Sequence, residues 1–395
     1  MEDTMSYPPS FKHLTDVHCH PTASLADITD EEMSKLPLRV VAMSSRARDQ
    51  SLVADLATKW PDKIVPCFGY HPWFTYTISL EDPAPSRTAH YASLFLPSAS
   101  IEAAMADPDF ARILPSLVDP IPLSQVLSSI RENFEKFPNA MLGEVGLDRA
   151  FRIPFSAFGS NRSPNPHAEP EPHPRLSPFH VPLEHQLAIL EAQIDLAVEC
   201  RRNISFHSVK AQAASVELLK NLEKKHGKEK WCTVSLDFHS CGLSAGMWGD
   251  IQKAHPNVFL SLSTAINLRL SGHVALIKTA SPDRILVESD CLTIKACGPQ
   301  TWDILKVVAE LRGWRIEQTE ADVLDASSDN AEAGEEGNGM GAVRRLMLNW
   351  ELFVNGGHKP FPVRENGKAR KRNKVPHEGK NLGEDNGTIE TVVYE

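Results

Sequence analysis

The sequence has no long hydrophobic run, no paired Cys-x-x-Cys and no excess of positive charge. No stretch approaches the roughly 20 apolar residues that a bilayer-crossing helix needs, so no membrane anchor is expected. The start, Met1-Glu2-Asp3-Thr4, is acidic and lacks an apolar core, so no secretory signal is expected either. The seven cysteines are odd in number and scattered, which argues against a disulfide framework and for a reducing compartment. With 41 Lys and Arg against 51 Asp and Glu, the formal net charge is -10. That balance argues against a protein that coats nucleic acid through general basicity. It leaves room for a local cationic cleft, or for one made by bound metal ions. The expectation is a soluble protein of the cytoplasm, the nucleus or both.

What is present is a full core and a regular rhythm. At 395 residues and 42% hydrophobic, the chain has room for one large domain or two average ones. Strand-like runs fall at 13–20, 38–43, 63–68, 140–148, 203–207, 233–239, 258–263 and 284–290. Helical patterns are expected at 49–60, stopped by Pro61, and at 123–136, 183–200, 211–226, 302–314 and 341–353. Eight short strands alternating with helices predict an α/β fold, a (β/α)8 barrel over 11–355.

Three segments break the rhythm. Residues 77–120, rich in Pro, Ser and Ala, read as an insertion. Residues 152–178 carry seven prolines, too many for a helix or central strand, and read as a loop. Residues 317–336 hold eight carboxylates and no Lys or Arg, and 317–340 is expected as a solvated acidic loop. The polar tail 356–395 is expected to be disordered and carries Lys368-Ala369-Arg370-Lys371-Arg372-Asn373-Lys374. That patch suits nuclear import, a phosphate-binding arm or plain solubility.

The chemistry gathers at strand ends. In Asp16-Val17-His18-Cys19-His20, strand alternation puts Asp16, His18 and His20 on one face. Two imidazoles so spaced can grip one metal, with Asp16 placed to orient them. Glu144, His207, His239 and Asp290 then end the fourth, fifth, sixth and eighth strands. Six candidate ligands therefore meet at the C-terminal rim, where such barrels carry their sites. The N/O donor set suits Zn²⁺, Mn²⁺ or Mg²⁺ without choosing among them. His71, before Pro72, reads equally as a substrate contact or a packed loop histidine. Glu288 reads as a supporting group, and Asp148 as a loop cap or a partner of Arg149. Cys19 and Cys291 are expected to pack in the core. His13, His173, His180 and His185 have no partner spacing.

These motifs resemble the TatD family of metal-dependent deoxyribonucleases. The resemblance rests on Asp16-x-His18-x-His20, Gly69-Tyr70-His71-Pro72, Gly143-Glu144-Val145-Gly146-Leu147-Asp148 and Glu288-Ser289-Asp290, in that order. The insertions and charged tail look like a fungal branch described as interactors of an anaphase-promoting-complex subunit. The resemblance implies two divalent cations, one held by His18, His20 and Asp290, the other by His207 and His239, with Glu144 bridging. It implies DNA as substrate and an exonuclease activity; on chemical grounds alone Asp290, beside Glu144, is a candidate to accept the proton as water attacks. Two ions about 3.5–4 Å apart suit phosphoryl transfer, because they clamp both attacking and leaving oxygens.

Three departures bear on substrate. Where the family usually has Arg two positions after the strand-five His, this chain has Val209, then Lys210, which makes Lys210 a candidate phosphate contact. After strand six stands His239-Ser240-Cys241-Gly242, one residue shorter than the usual pattern. Asp290 is followed by Cys291 and Leu292 rather than an apolar residue and Pro. Two other readings stay open: a barrel kept as a scaffold that binds a protein partner through its insertions or tail, and a metal-dependent esterase or amidase. Amidohydrolase relatives often place a carboxylated lysine on strand four, where this chain has Glu144, and that favours the nuclease reading.

Overall fold

A computed structural model describes residues 7–155, 175–325 and 339–361. Eight strands form one sheet: β1 Thr15–Cys19, β2 Arg39–Met43, β3 Ile64–Phe68, β4 Met141–Asp148, β5 Ile204–Val209, β6 Leu236–Phe238, β7 Val258–Leu262 and β8 Ile285–Val287. Each pairs in parallel with the next in sequence. Between first and last, Asp290 N–H donates to the His18 carbonyl at 2.9 Å and His20 N–H donates to the Cys291 carbonyl at 2.8 Å. Those two bonds join the ends of the sheet at its C-terminal rim, and the result is the expected barrel.

The strands are apolar on both faces because each is covered twice, by helices outside and by the barrel lumen inside. Leu142, Val145, Ile204, Phe206, Leu236 and Leu260 belong to the main core under the outer helices. Val17, Val41, Met43, Val65, Phe259 and Leu286 form a second cluster with Trp350 and Phe353 of the last helix, Ala342–Asn355. Asn349 Nδ2 donates to the carbonyls of Pro282 and Ile285, both at 2.8 Å, and fastens that helix where β8 begins. One end of the barrel is thereby closed, and the opposite rim is left for chemistry.

Several segments differ from expectation. The helix expected from Trp302 runs Ile294–Arg312 and carries Pro299 within it. Its early turns hide behind Cys-Gly-Pro, a punctuating signal overridden by burial of Ile294, Cys297 and Gly298. Segment 77–120 folds as helices Arg87–Phe95, Ile101–Ala106 and Pro108–Ile113, flanked by a parallel two-residue strand pair, Ile78–Ser79 and Ile121–Pro122. Ser86, Ser100 and Asp107 cap those helices, so the Ser-rich composition marks helix starts rather than loops. The described ends of 152–178 are not free loop. Phe155 N–H donates to Arg175 O and Ser177 N–H to Ile153 O, both at 2.9 Å, in an antiparallel bridge that packs onto the 77–120 segment. Residues 156–174, with His173, lie outside the described residues, as does the tail patch 368–374.

The acidic segment also departs from a purely solvated loop. Glu317 is 1% exposed, and its carboxylate accepts from the N–H groups of Val343 and Arg344, at 3.0 and 3.2 Å. A carboxylate at the first turn of a helix meets unpaired N–H groups and the positive end of the dipole. Glu320–Leu324 is a short helix with a capping box at Thr319, and Val323 is buried.

Candidate metal centre

Backbone register assembles the centre. β4 lies between β3 and β5, and its pairing sets Gly146 opposite His207. Gly146 has φ +157°, and a Cβ there would run into the His207 carbonyl, so only glycine lets the two strands approach this closely. Glu144, 3% exposed, projects from β4 into the rim. Its two oxygens face different groups. Oε1 lies 2.8 Å from His207 Nδ1, 2.9 Å from His239 Nε2 and 3.2 Å from His71 Nε2. Oε2 lies 3.2 Å from His20 Nε2 and 3.6 Å from His18 Nε2. Asp290 Oδ1 sits 3.9 Å from His18 Nε2 and 3.8 Å from His20 Nε2. All six residues singled out in the sequence as ligands are thus brought together.

The donor set fits divalent metal. His18 Nε2 and His20 Nε2 are 3.2 Å apart, and His207 Nδ1 and His239 Nε2 are 3.0 Å apart. Nitrogens this close either share a proton or face one cation, and ligands about 2.1 Å from one ion stand about 3–4 Å from each other. His18–His20–Glu144 and His71–Glu144–His207 are both groups able to hold an ion.

Neighbours outside the cluster face three of the four rings. His18 Nδ1 lies 2.8 Å from Ser205 Oγ. His207 Nε2 lies 3.6 Å from Asp148, and His239 Nδ1 lies 3.5 Å from Glu288. A proton held on each of those outward nitrogens leaves the inward one as a lone-pair donor. His71 is different. Its Nδ1 accepts from the Trp73 backbone N–H at 3.1 Å, so in neutral His71 the proton sits on Nε2 and points at Glu144. His71 is 4% exposed and supports the carboxylate. Lys210 stands exposed just past β5 with φ 49°.

Asp16 does not orient the imidazoles. It accepts from the Ser289 N–H at 2.9 Å, the Ser289 hydroxyl at 2.5 Å and the His18 N–H at 3.3 Å, so it ties β1 to the end of β8. His20 lies one residue beyond β1, just before the 3-10 turn Pro21–Asp27. Glu288 accepts from Ser240 and Ser261, in the supporting position expected of it. Asp148 caps the loop after β4 by accepting from Ala150 and Phe151 N–H and from Trp73 Nε1, rather than pairing with Arg149. Cys19 and Cys291 are buried. Ser205 and Ser261 escaped the sequence reading because they reach the site by cross-strand register, and Trp73 and Ser240 because they reach it from loops, with no spacing signal.

Burial and charge compete here. Burial alone would raise Glu144, yet His71, His239 and His18 hold its carboxyl well below the usual range. Burial drives Asp290 up to about 6. Burial likewise pushes His18 down to about 4. For His207 burial lowers the pKa, but Asp148 and Glu144 outweigh it and bring it to about 8. The centre is a carboxylate inside a ring of bases.

The TatD related DNase family model matches residues 15–333. The chain belongs to that family. The TatD family is one of metal-dependent hydrolases, and the four motifs read from the sequence lie at the rim described above. The Cut9-interacting protein scn1 of Schizosaccharomyces pombe is 28% identical over 339 residues, covering 78% of this chain and 95% of that protein. An uncharacterized deoxyribonuclease of Saccharomyces cerevisiae is 26% identical over 284 residues, covering 70% and 83%. The fold is shared with a TatD-family hydrolase of Entamoeba histolytica, with a TM-score of 0.51 at 12% identity over 89% of this chain and 99% of the other.

Proposed function

We propose that the protein hydrolyses phosphodiester bonds in DNA, as an exonuclease, with two divalent cations held on either side of Glu144. The observation that carries this is the split of one buried carboxylate, Oε1 toward His207 and His239, Oε2 toward His18 and His20. His18, His20 and Asp290 would hold one ion, His207 and His239 the other. Such ions supply charge neutralisation at phosphoryl oxygens and make a water more acidic.

The chain's own residues do the rest. His71 Nε2–H donates to Glu144 and steadies the carboxylate between the two groups. Asp290, at the rim beside His18 and His20, is placed to accept the proton released as water attacks phosphorus. Ser205, Asp148 and Glu288 keep three imidazoles aimed inward. Catalysis should be abolished by EDTA and restored by Mg²⁺ or Mn²⁺. Asp290→Asn should lower turnover about two orders of magnitude or more while leaving the circular dichroism close to wild type. Metal-loaded wild type that cleaves no nucleic acid would remove this reading.

A second reading adds partner binding through the 77–120 insertion. Leu80, Ile101, Met105 and Val118 there are 52%, 48%, 44% and 56% exposed, and the scn1 relative is by its name a protein that interacts with another. An activity-dead Asp290→Asn protein that still captured its cellular partners would favour it. For location we propose the cytoplasm, the nucleus or both, checked by imaging a tagged chain with and without residues 368–374.

A further inference from the structure

After β3 the chain reads His71-Pro72-Trp73, and Pro72 opens a 3-10 turn, Pro72–Thr77. A turn this tight folds residue 73 back on residue 71, and the Trp73 backbone N–H donates to His71 Nδ1 at 3.1 Å. The side chain of the same residue reaches the end of β4, where Trp73 Nε1 donates to Asp148 Oδ2 at 2.6 Å. Its ring is gripped on two sides. It stacks on Phe151 at 5.0 Å and 14°, and meets the His71 ring edge-on at 4.9 Å and 85°. A half-buried indole held in this way has little rotational freedom, so its N–H is a fixed donor.

Asp148 is buried, and its two oxygens have separate duties. Oδ1 accepts from the Ala150 and Phe151 N–H groups at 2.6 and 3.0 Å, which ties it to the backbone. Oδ2 faces His207 Nε2 at 3.6 Å, and it is the oxygen that Trp73 holds. His207 in turn presents Nδ1 to Glu144 Oε1 at 2.8 Å, and His71 Nε2 lies 3.2 Å from that same oxygen. One residue therefore supports both imidazoles, His71 through its main chain and His207 through its side chain and Asp148. An indole that merely filled space against the aromatic core of Phe151, Tyr91 and Phe110 would need a ring there. It would not need a short bond to a buried carboxylate that faces a metal ligand.

We propose that Trp73 is a positioning residue for the cation held by His207 and His239, acting through Asp148. In this role it touches neither metal nor substrate. The inference rests on the two-cation reading and names the support that sets the affinity of one of the two sites.

The test is Mn²⁺ binding to the full chain stripped with EDTA, followed by isothermal titration at one pH, a readout that needs no turnover. Trp73→Phe keeps a ring against Phe151 and removes the donor, while the backbone bond to His71 stays. It should weaken one of the two sites about tenfold, as loss of a group supporting a metal-bound histidine does, and leave the other within about twofold. Asp148→Asn should weaken the same site. Trp73→Phe combined with Asp148→Asn should bind no more weakly than Asp148→Asn alone, because both changes break one chain of contacts. Losses that add, or equal weakening of both sites, would mark a packing role and overturn the proposal. Unchanged binding in Trp73→Phe would overturn it too. Melting of the metal-free chains checks the fold. Should Trp73→Phe not fold, Asp148→Asn alone decides, and wild-type affinity at both sites overturns the proposal. A wild type that binds a single ion defeats the two-cation reading instead, and the same comparison of single and double variants on that ion still decides the role of Trp73. A wild type that binds none overturns both.

Discussion

Glu144 reaches two groups of histidines because Gly146, two residues on, lets β4 lie against the His207 backbone. Gly146→Ala should push β5 away and cost about 1–3 kcal/mol, as overpacking does, read as a lower urea midpoint. Metal content should fall with it, and a wild-type midpoint would contradict the close approach. Replacing His18 and His20 together by Ala should deplete metal measured by elemental analysis. The same change at His180 and His185 should not, because those rings bond the Phe151 and Thr75 carbonyls instead. The ligands themselves were legible in the sequence, since strand alternation and strand ends locate them. Their supports were not. Ser205 serves His18 from 187 residues away, and Asp16 holds Ser289 across 273. No local pattern encodes contacts made by register.

The 77–120 segment is the element that the sequence conveyed least. Its core is aromatic, with Tyr91, Phe110 and Phe179 buried and Phe95 stacked on Phe179 at 5.0 Å. Short capped helices of six to nine residues leave little periodicity to read. The barrel strands and the long helices were legible because their apolar runs are continuous or repeat over several turns. Phe110→Ala should cost about 3–5 kcal/mol locally. Hydrogen exchange should then rise over 87–113 while the barrel strands stay protected, and uniform loss of protection would mean a single cooperative unit. Joining Phe155 to Arg175 through a short Gly/Ser linker should leave the melting temperature nearly unchanged, since closure depends weakly on loop length. Removing 152–178 outright should lower it, because Ile153 and Phe155 leave that core with it.

That segment and the helix Leu183–Cys200 packed beside it share an acid sensitivity. Burial lowers the pKa of His90 and of His185, while their bonds to Tyr76 and Thr75 carbonyls offset it only in part. Both folded values therefore lie below the ordinary histidine value, roughly 6.5. The stability this gives is present above that value and is lost as pH falls through the folded values. Proteolysis within 87–113 should quicken between pH 7.5 and pH 5, and His90→Gln with His185→Gln should flatten that dependence. A cleavage rate independent of pH would contradict it.

At the scale of the whole molecule, the barrel is closed twice. The last helix plugs one end with Trp350 and Phe353, and at the other end two backbone bonds join His18 and His20 to the residues around Asp290. The ligands therefore sit on the seam where the first strand meets the last. Metal that binds only the folded chain should raise the melting temperature, and EDTA should lower it. The barrel and its rim were legible as a whole, because eight runs alternating with helices admit few other architectures. The central claim is that Glu144 joins two cation sites. The direct measurement is elemental analysis of the wild type and Glu144→Gln, purified alike, beside DNA hydrolysis by each. Two divalent ions per wild-type chain, with fewer ions and no detectable cleavage in Glu144→Gln, is the predicted result. A wild type that binds one ion or none, or a Glu144→Gln protein with wild-type metal content and activity, would contradict it.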